Sequence, residues 1–466
     1  MTQAIDQTAE ITAETEEQDD YTLSPKLVAG VLYAIEAGDR ATLLDLMEPL
    51  HAADIADLLE QINAFDRRRL VQLYGAEFDG EILSELDEGL REEVMNVLRP
   101  DVLAEAVRDL ESDDIVDLVE DLDEPQQEAI LDQLEDADRV AVEQALSYPE
   151  NTAGRLMQRE TVFAPEHWTV GETIDFLRNA EELPEQFYHV ILVDPRMKPV
   201  GNVTLGKLMS ARREVLMATL VEEVFQVIPI TQDEEDVAYA FNQYHLISAP
   251  VVDEDERLVG VITIDDAMVV LDEEHEEDIL RLAGVSDESS LSDTIFNAAK
   301  GRATWLFVNL LTAILASGVI NLFADTVDQM VALAVLMPIV ASMGGNAGTQ
   351  TMTVTVRALA TKDLTAQNAM RVIWRELSVG ALNGALFGFI MALVAGAWFG
   401  VPMLAVVIGV AMLLTQIAAA LGGILIPMAL DRMNIDPALA SGPFVTTVTD
   451  VVGFFLFLGL AAQVLL

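Results

Sequence analysis

Apolar residues recur at three- and four-residue spacing from about residue 27 to 147, in short runs separated by Pro or Gly. Ile55, Leu58, Leu59 and Ile62 form one such run, and Ile115, Leu118, Val119 and Leu122 another. This periodicity predicts a stack of short amphipathic helices. The stretch 54–60 (DIADLLE) returns as 114–120 (DIVDLVE), so a helical-repeat superhelix is expected. A second repeat is clearer: 193–205 aligns without a gap on 252–264, and Asp194 and Met209 have their counterparts 59 residues on at Asp253 and Met268. Each copy reads as strand, turn, strand, helix. Beyond Lys300 the pattern changes to five apolar runs, 303–323, 331–356, 377–399, 404–430 and 438–466. Each is long enough as a helix to cross about 30 Å of hydrocarbon.

Charge sharpens this division. The 466 residues carry 26 Lys or Arg and 78 Asp or Glu, a net charge of −52, yet the mean hydropathy is +0.32. Residues 301–466 hold only six basic and seven acidic side chains, so residues 1–300 hold 20 and 71 and a net charge of −51. So acidic a region repels nucleic acid and anionic lipid and attracts cations. The chain has no cysteine and five histidines, which excludes disulfides, thiolate zinc and iron–sulfur sites. A metal site must be built from oxygen, which suits Mg2+, Ca2+ or Mn2+. Residues 1–24 lack a basic start and an apolar run and read as a disordered acidic cytoplasmic tail.

Two motif matches fail on inspection. Residues 201–207 (GNVTLGK) approach the phosphate-loop pattern, but Leu208 stands where Ser or Thr must bind the metal, and the repeat copy from Gly260 has no lysine. His275-Glu276 lacks the second histidine of a zinc-protease helix.

In the apolar half, Lys300 and Arg302 precede the first span, and Arg357, Lys362, Arg371 and Arg375 fill the loop after the second. The loop with Asp325 and Asp328 and the one near Gly400 carry no base. By the positive-inside rule the soluble half lies in the cytoplasm and the C-terminus outside, in a multi-pass protein of the inner (plasma) membrane. Asp450 is the one acid well inside a span. A charge at mid-depth costs about 3 kcal/mol, so the carboxylate is either capped within a static interface or part of a cation pathway. Pro443 and the hydroxyls of Thr446, Thr447 and Thr449 surround it in sequence and favour the pathway. The second run, with Pro338 and Gly344-Gly345-Asn346-Ala347-Gly348-Thr349-Gln350, is expected to be broken. Its glycines can serve packing or lining, and the amides of Asn346 and Gln350 favour lining. Asn309, Asn321, Asn383 and Gln416 are assigned to interhelical hydrogen bonds.

Between the two halves runs 271–280 (LDEEHEEDIL), with six carboxylates in ten residues. On a helix the like-charged pairs 272/276, 273/277 and 274/278 each cost about 0.2–0.5 kcal/mol. Cations would relieve that repulsion. At high Mg2+ the segment is expected to bridge to acidic faces of the preceding domains and cover a pore. At low Mg2+ repulsion frees it.

The order of parts, with the GGNAGTQ run and 436–450 (DPALASGPFVTTVTD), resembles the MgtE family of Mg2+ channels over nearly the whole chain past the tail. The repeat at 151–270 resembles a tandem CBS pair. The resemblance implies a multi-domain chain: tail 1–24, an all-α superhelical N domain 25–150, an α/β CBS pair 151–270, an acidic plug helix 271–300, and a five-helix transmembrane domain 301–466. It further implies a homodimer with the pore between protomers. Asp450 of both chains would form the selectivity site, with Asp436, Thr446 and Asn346 nearby. A dyad-related carboxylate pair would hold a still-hydrated Mg2+, which gives up water reluctantly. Regulatory Mg2+ would fall on Glu81, Asp113 and Asp117, on Asp233, Glu235 and Asp266, and on Glu274, Glu277 and Asp278.

Departures from the family pattern are visible. Val269 and His245 stand where acids are expected, which weakens one or two CBS sites. Lys207 replaces an acid that some members use toward ATP, so ATP is a doubtful ligand. Thr349 and Gly442 replace asparagines found in some members. The implied function is Mg2+ conduction into the cytoplasm, throttled by internal Mg2+, with no enzymatic step. A H+-coupled or broader divalent-cation transporter and a nucleotide-reading receptor are the competing readings.

Overall fold

The computed structural model describes residues 22–465 except 109, 121, 123, 135, 181, 182, 185 and 286–294. Most of the expected N-terminal tail and part of the expected 271–300 helix therefore lie outside the described residues. The chain divides into two compact units, Met1–Leu271 and Asp272–Leu466.

The first unit opens with short helices running from Pro25–Ala37 to Asp136–Leu146. Their apolar stripes meet in one core that includes Leu43, Leu58, Leu59, Leu70, Ile82, Leu118 and Val119. Local signals define the ends: Ser24 caps the first helix ahead of Pro25, and Gly38 closes it with a left-handed φ of 67°. The two predicted repeats follow as two three-stranded sheets. In the first, β1 (Phe163–Pro165) pairs parallel with β2 (His189–Val193), which pairs antiparallel with β3 (Pro199–Thr204). In the second, β4 (Ile228–Pro229), β5 (Ser248–Val252) and β6 (Leu258–Thr263) repeat the order. The 59-residue period extends to backbone detail. Register shifts occur at Leu192/Val193 and at Val251/Val252, and Met197 and Glu256 both take positive φ in the hairpin turns. In each turn the Asp at its start, Asp194 or Asp253, accepts two backbone N–H groups.

The helix Ile264–Leu282 follows β6 directly, beginning in the first unit and ending in the second. It differs from the predicted 271–300 helix. No Gly or Pro interrupts residues 264–282, so the last helix of the CBS repeat and the acidic run form one element, and Gly284 (φ 71°) ends it. The next helix has already begun at Ile295.

Five helices of the second unit are long and apolar enough to cross a membrane: Ile295–Leu322, Ala332–Ala360, Ala369–Phe399, Pro402–Asp431 and Pro437–Val464. The second is unbroken, contrary to the expected interruptions at Pro338 and at 344–350, and the fifth runs through Pro443 without a break. In hydrocarbon the helix's own carbonyls are the available partners for its N–H groups, which keeps the glycine run helical, and each Pro removes a single bond. Arg371 and Arg375, expected in a loop, lie in the first two turns of the third helix.

Candidate ion pathway and acidic sites

Two glycines of the second membrane helix, Gly344 and Gly348, are packing positions, whereas a Cβ on Gly345 would meet nothing within 4 Å. A Cβ on Gly344 would lie 2.8 Å from Thr415 Cγ2, and one on Gly348 2.8 Å from Val445 Cγ1 and 3.0 Å from Thr449 Cγ2. The second helix is thereby held close to the fourth and fifth. Asn346 and Gln350 fall between these contacts and stay exposed on the single chain, as does Thr446 on the fifth helix. Gln416 is buried and donates to the Met343 carbonyl at 3.1 Å, an interhelical bond as expected. Asn309 and Asn321 are exposed on the single chain.

Asp450 lies one turn beyond Thr446 and is partly buried. The neighbouring hydroxyls do not cap it. Thr446 donates to the Gly442 carbonyl at 2.9 Å, Thr447 to Pro443 at 2.6 Å and Thr449 to Thr446 at 2.9 Å. Each hydroxyl spends its proton on its own helix and keeps its lone pairs.

At the N-terminus of the same helix, Asp436 is the capping residue, and its Oδ1 accepts from Ala438 N at 2.7 Å. Its Oδ2 accepts from Arg281 Nη1 at 2.7 Å, and Arg281 also pairs with Glu277 one turn back on its own helix. Burial, then the nearby Asp436 charge, raises the Asp278 carboxyl above the usual range. Two of the predicted acids, Glu277 and Asp436, thus pair with one arginine that sequence reasoning missed, and Asp278 lies near Asp436.

A second gathering lies within the first unit. Asp113 and Asp266 approach one another, and Glu111 and Asp114, not singled out from sequence, join them. Burial comes first and mutual repulsion second in pushing Glu111 to about 7 and Asp114 to about 6. For Asp266 burial, with repulsion from the adjacent Asp265, gives about 6, even though Thr263 donates to it from both backbone and hydroxyl, at 3.2 and 2.6 Å. Asp113 is raised well above the carboxylate range, with Asp266 its strongest charged neighbour. The segment around this group is fixed by Gln158 donating to Glu111 and by Ser112 donating to Glu160 at 2.8 Å.

The other predicted regulatory residues are not brought into this group. Asp117 pairs with Arg91 at 2.7 Å. Glu81 is exposed at the start of Glu81–Ser84, and Asp233 and Glu235 are exposed at the start of Glu234–Tyr244, where Asp233 caps the Glu235 N–H. Glu274 is partly buried on the linker helix. His245, which replaces an expected acid, closes the Glu234–Tyr244 helix with φ of 54°. Lys207 is paired with Glu222 at 2.9 Å. Among the described residues no three Asp, Glu or His side chains converge closely enough to ligate one ion in this conformation. The oxygen-only donor set fits a cation that keeps most of its water and touches one or two carboxylates, as Mg2+ does.

Comparisons with known proteins match three stretches of the chain. Residues 337–460 match the MgtE family, described as divalent cation transporters; 50–151 match the MgtE intracellular N domain, and 220–273 a CBS domain. The magnesium transporter MgtE of Enterococcus faecalis is 34% identical over 322 residues, 69% of this chain and 71% of that one. Its namesake in Thermus thermophilus is 35% identical over 335 residues, 70% of this chain and 73% of that one. A solved cytosolic domain of the Mg2+ channel MgtE in complex with ATP is 29% identical. It covers 52% of this chain and 99% of its own, with a TM-score of 0.48.

Proposed function

Because the chain belongs to the MgtE family of divalent cation transporters, we propose that it conducts hydrated Mg2+ across the plasma membrane into the cytoplasm. Asp450 carries this reading. It is a partly buried carboxylate inside a membrane helix, and among the described residues no hydrogen bond or ion pair engages it. A lone ionised group at such depth is expensive unless a cation visits it. Thr446 and Asn346 extend the polar surface with oxygens able to hold the ion's water, and Asp436 supplies a carboxylate at the helix N-terminus. Inward movement needs no fuel, since a divalent ion gains about 4.6 kcal/mol per 100 mV of inside-negative potential. No residues here are assigned to an enzymatic step.

Two chains are needed, because one carboxylate cannot select a doubly charged ion that keeps its water. A homodimer about a dyad pairs the two Asp450 side chains. The basic residues flanking the first three membrane helices support a cytoplasmic first unit and an outside C-terminus.

Regulation follows from the acidic half. Internal Mg2+ relieves the repulsion among Asp113, Asp266 and their neighbours, and along Glu274, Glu277 and Asp278, and so favours the closed form. Asp117, Glu81, Asp233 and Glu235 supply further carboxylates to bound Mg2+. With Lys207 held by Glu222, ATP has no acid at that position to bind it, and Mg2+ is the regulatory ligand.

Purified protein in liposomes tests the reading. Mg2+ uptake driven by a K+ diffusion potential alone, and lost on Asp450→Ala, supports a channel. An obligatory pH gradient would make it a proton-coupled transporter instead, and undiminished uptake by the variant would remove Asp450 from the pathway.

A further inference from the structure

The Arg281–Asp436 contact joins residues 155 apart in the chain. Arg281 sits on the last turn of the helix Ile264–Leu282, and Asp436 caps the fifth membrane helix. Two features make this more than a surface ion pair. Only 22% of the Arg281 side chain and 31% of the Asp436 side chain are exposed, so water and salt screen the pair weakly. The next residue, Leu282, packs against Met352, Val356, Ala438 and Val445, and its carbonyl lies 3.8 Å from where a Cβ on Gly442 would be. A charged contact and an apolar one therefore fasten the same helix end to the start of the fifth helix.

The electrostatics are specific. A helix N-terminus repels a cation, so an arginine rests there only because Asp436 supplies a full negative charge. Both oxygens of that carboxylate are committed, one to the Ala438 N–H and the other to the guanidinium. While the contact lasts, the guanidinium neutralises the Asp436 charge and so weakens its hold on a hydrated ion.

We propose that Arg281 is a tethered counter-cation that occupies the Asp436 carboxylate in the closed channel, latching the linker helix over the fifth helix without a metal at that point. This rests on the reading of Asp436 as part of the ion pathway. Glu277 aims the guanidinium from one turn back and supplies its second carboxylate partner. Opening requires the guanidinium to leave Asp436, and the carboxylate then becomes available to permeating Mg2+. Arg281 is a positioning residue, because it acts on the ion only through Asp436.

The experiment uses full-length protein in liposomes, with internal Mg2+ titrated. Arg281→Gln should raise the internal Mg2+ needed for half-closure about tenfold, the scale of one charge-assisted contact. Arg281→Lys, which keeps the charge, should recover most of that shift. A variant that merely misfolds would lose total flux without moving the midpoint. Closure of Arg281→Gln at the same internal Mg2+ as the parent overturns the latch. A second arm works even if internal Mg2+ turns out not to gate the channel. The chain has no cysteine, so Leu282→Cys with Gly442→Cys can be bridged by a short thiol cross-linker. Bridged protein should stop conducting and recover when the bridge is cleaved; conduction through the bridged form overturns the proposal.

Discussion

Glu111, Asp113, Asp114 and Asp266 ionise only at a cost, because burial and nearby acids disfavour their charged forms. Burial first, and repulsion from neighbouring acids, raise Glu111 to about 7, Asp114 and Asp266 to about 6 and Asp113 well above the carboxylate range, from ordinary values of about 4. The unfolded chain ionises them near the lower values. Their favourable contribution is therefore fully present below about pH 4 and is lost as pH climbs through 6 to 7. In Mg2+-free protein, hydrogen-exchange protection of the helix Ser112–Glu120, corrected for intrinsic rates, should be greater at pH 5.5 than at pH 8. Added Mg2+ should restore protection at pH 8 and change little at pH 5.5. Equal protection at both pH values in the metal-free protein would show that these carboxylates do not repel one another as described. Asp113 and Asp266 were accessible to sequence reasoning only through family resemblance. Glu111 and Asp114 were not, because what distinguishes them from dozens of other acids is a tertiary approach across about 150 residues, which leaves no local periodicity. Arg281 was hidden for the same reason.

Helix packing in the second unit depends on glycines that differ sharply in what surrounds them. A Cβ on Gly388 of the third helix would lie 2.5 Å from the Gly409 backbone oxygen of the fourth, and a backbone cannot yield as a side-chain tip can. On the first helix, a Cβ at Gly318 meets nothing within 4 Å. Gly388→Val should therefore lower the thermal unfolding midpoint in detergent, by the 1–3 kcal/mol typical of overpacking. Gly318→Ala should leave the midpoint unchanged or raise it slightly, since Ala is the better helix former. Equal effects from both would refute close backbone approach as what orders these helices. The five spans themselves were legible as apolar runs, and the paired sheets as a gapless repeat. Helix breaks were misjudged because Pro and Gly rules come from helices in water. Inside a bundle the backbone has no solvent to turn to, and neighbouring helices hold it in place. The linker helix was placed too late in the chain, because its acidic run stands out in composition while its true start, after β6, is marked only by the end of a strand.

At the scale of the molecule, one protomer leaves an unfinished surface. Asn346, Gln350 and Thr446 are exposed on helices that cross the membrane, and Asp450 is only partly covered. Facing lipid, these polar groups would have no partners, and the carboxylate alone would cost about 3 kcal/mol at mid-depth. The proposed second copy about a dyad would remove the difficulty, because it would turn the same surface inward, double the carboxylate and give the polar groups a wet path in place of lipid. The absence of native cysteine allows a direct test. Thr446→Cys in native membranes should form a disulfide-linked dimer on mild oxidation, with Mg2+ uptake blocked while the bridge lasts and restored by reductant. A cysteine at the exposed Leu306 of the first helix, away from the proposed seam, should give no such dimer. If Thr446→Cys remains monomeric under oxidation and the unmodified chain conducts as a monomer, the polar face must be closed within a single protomer, and the dyad-paired Asp450 site falls with it.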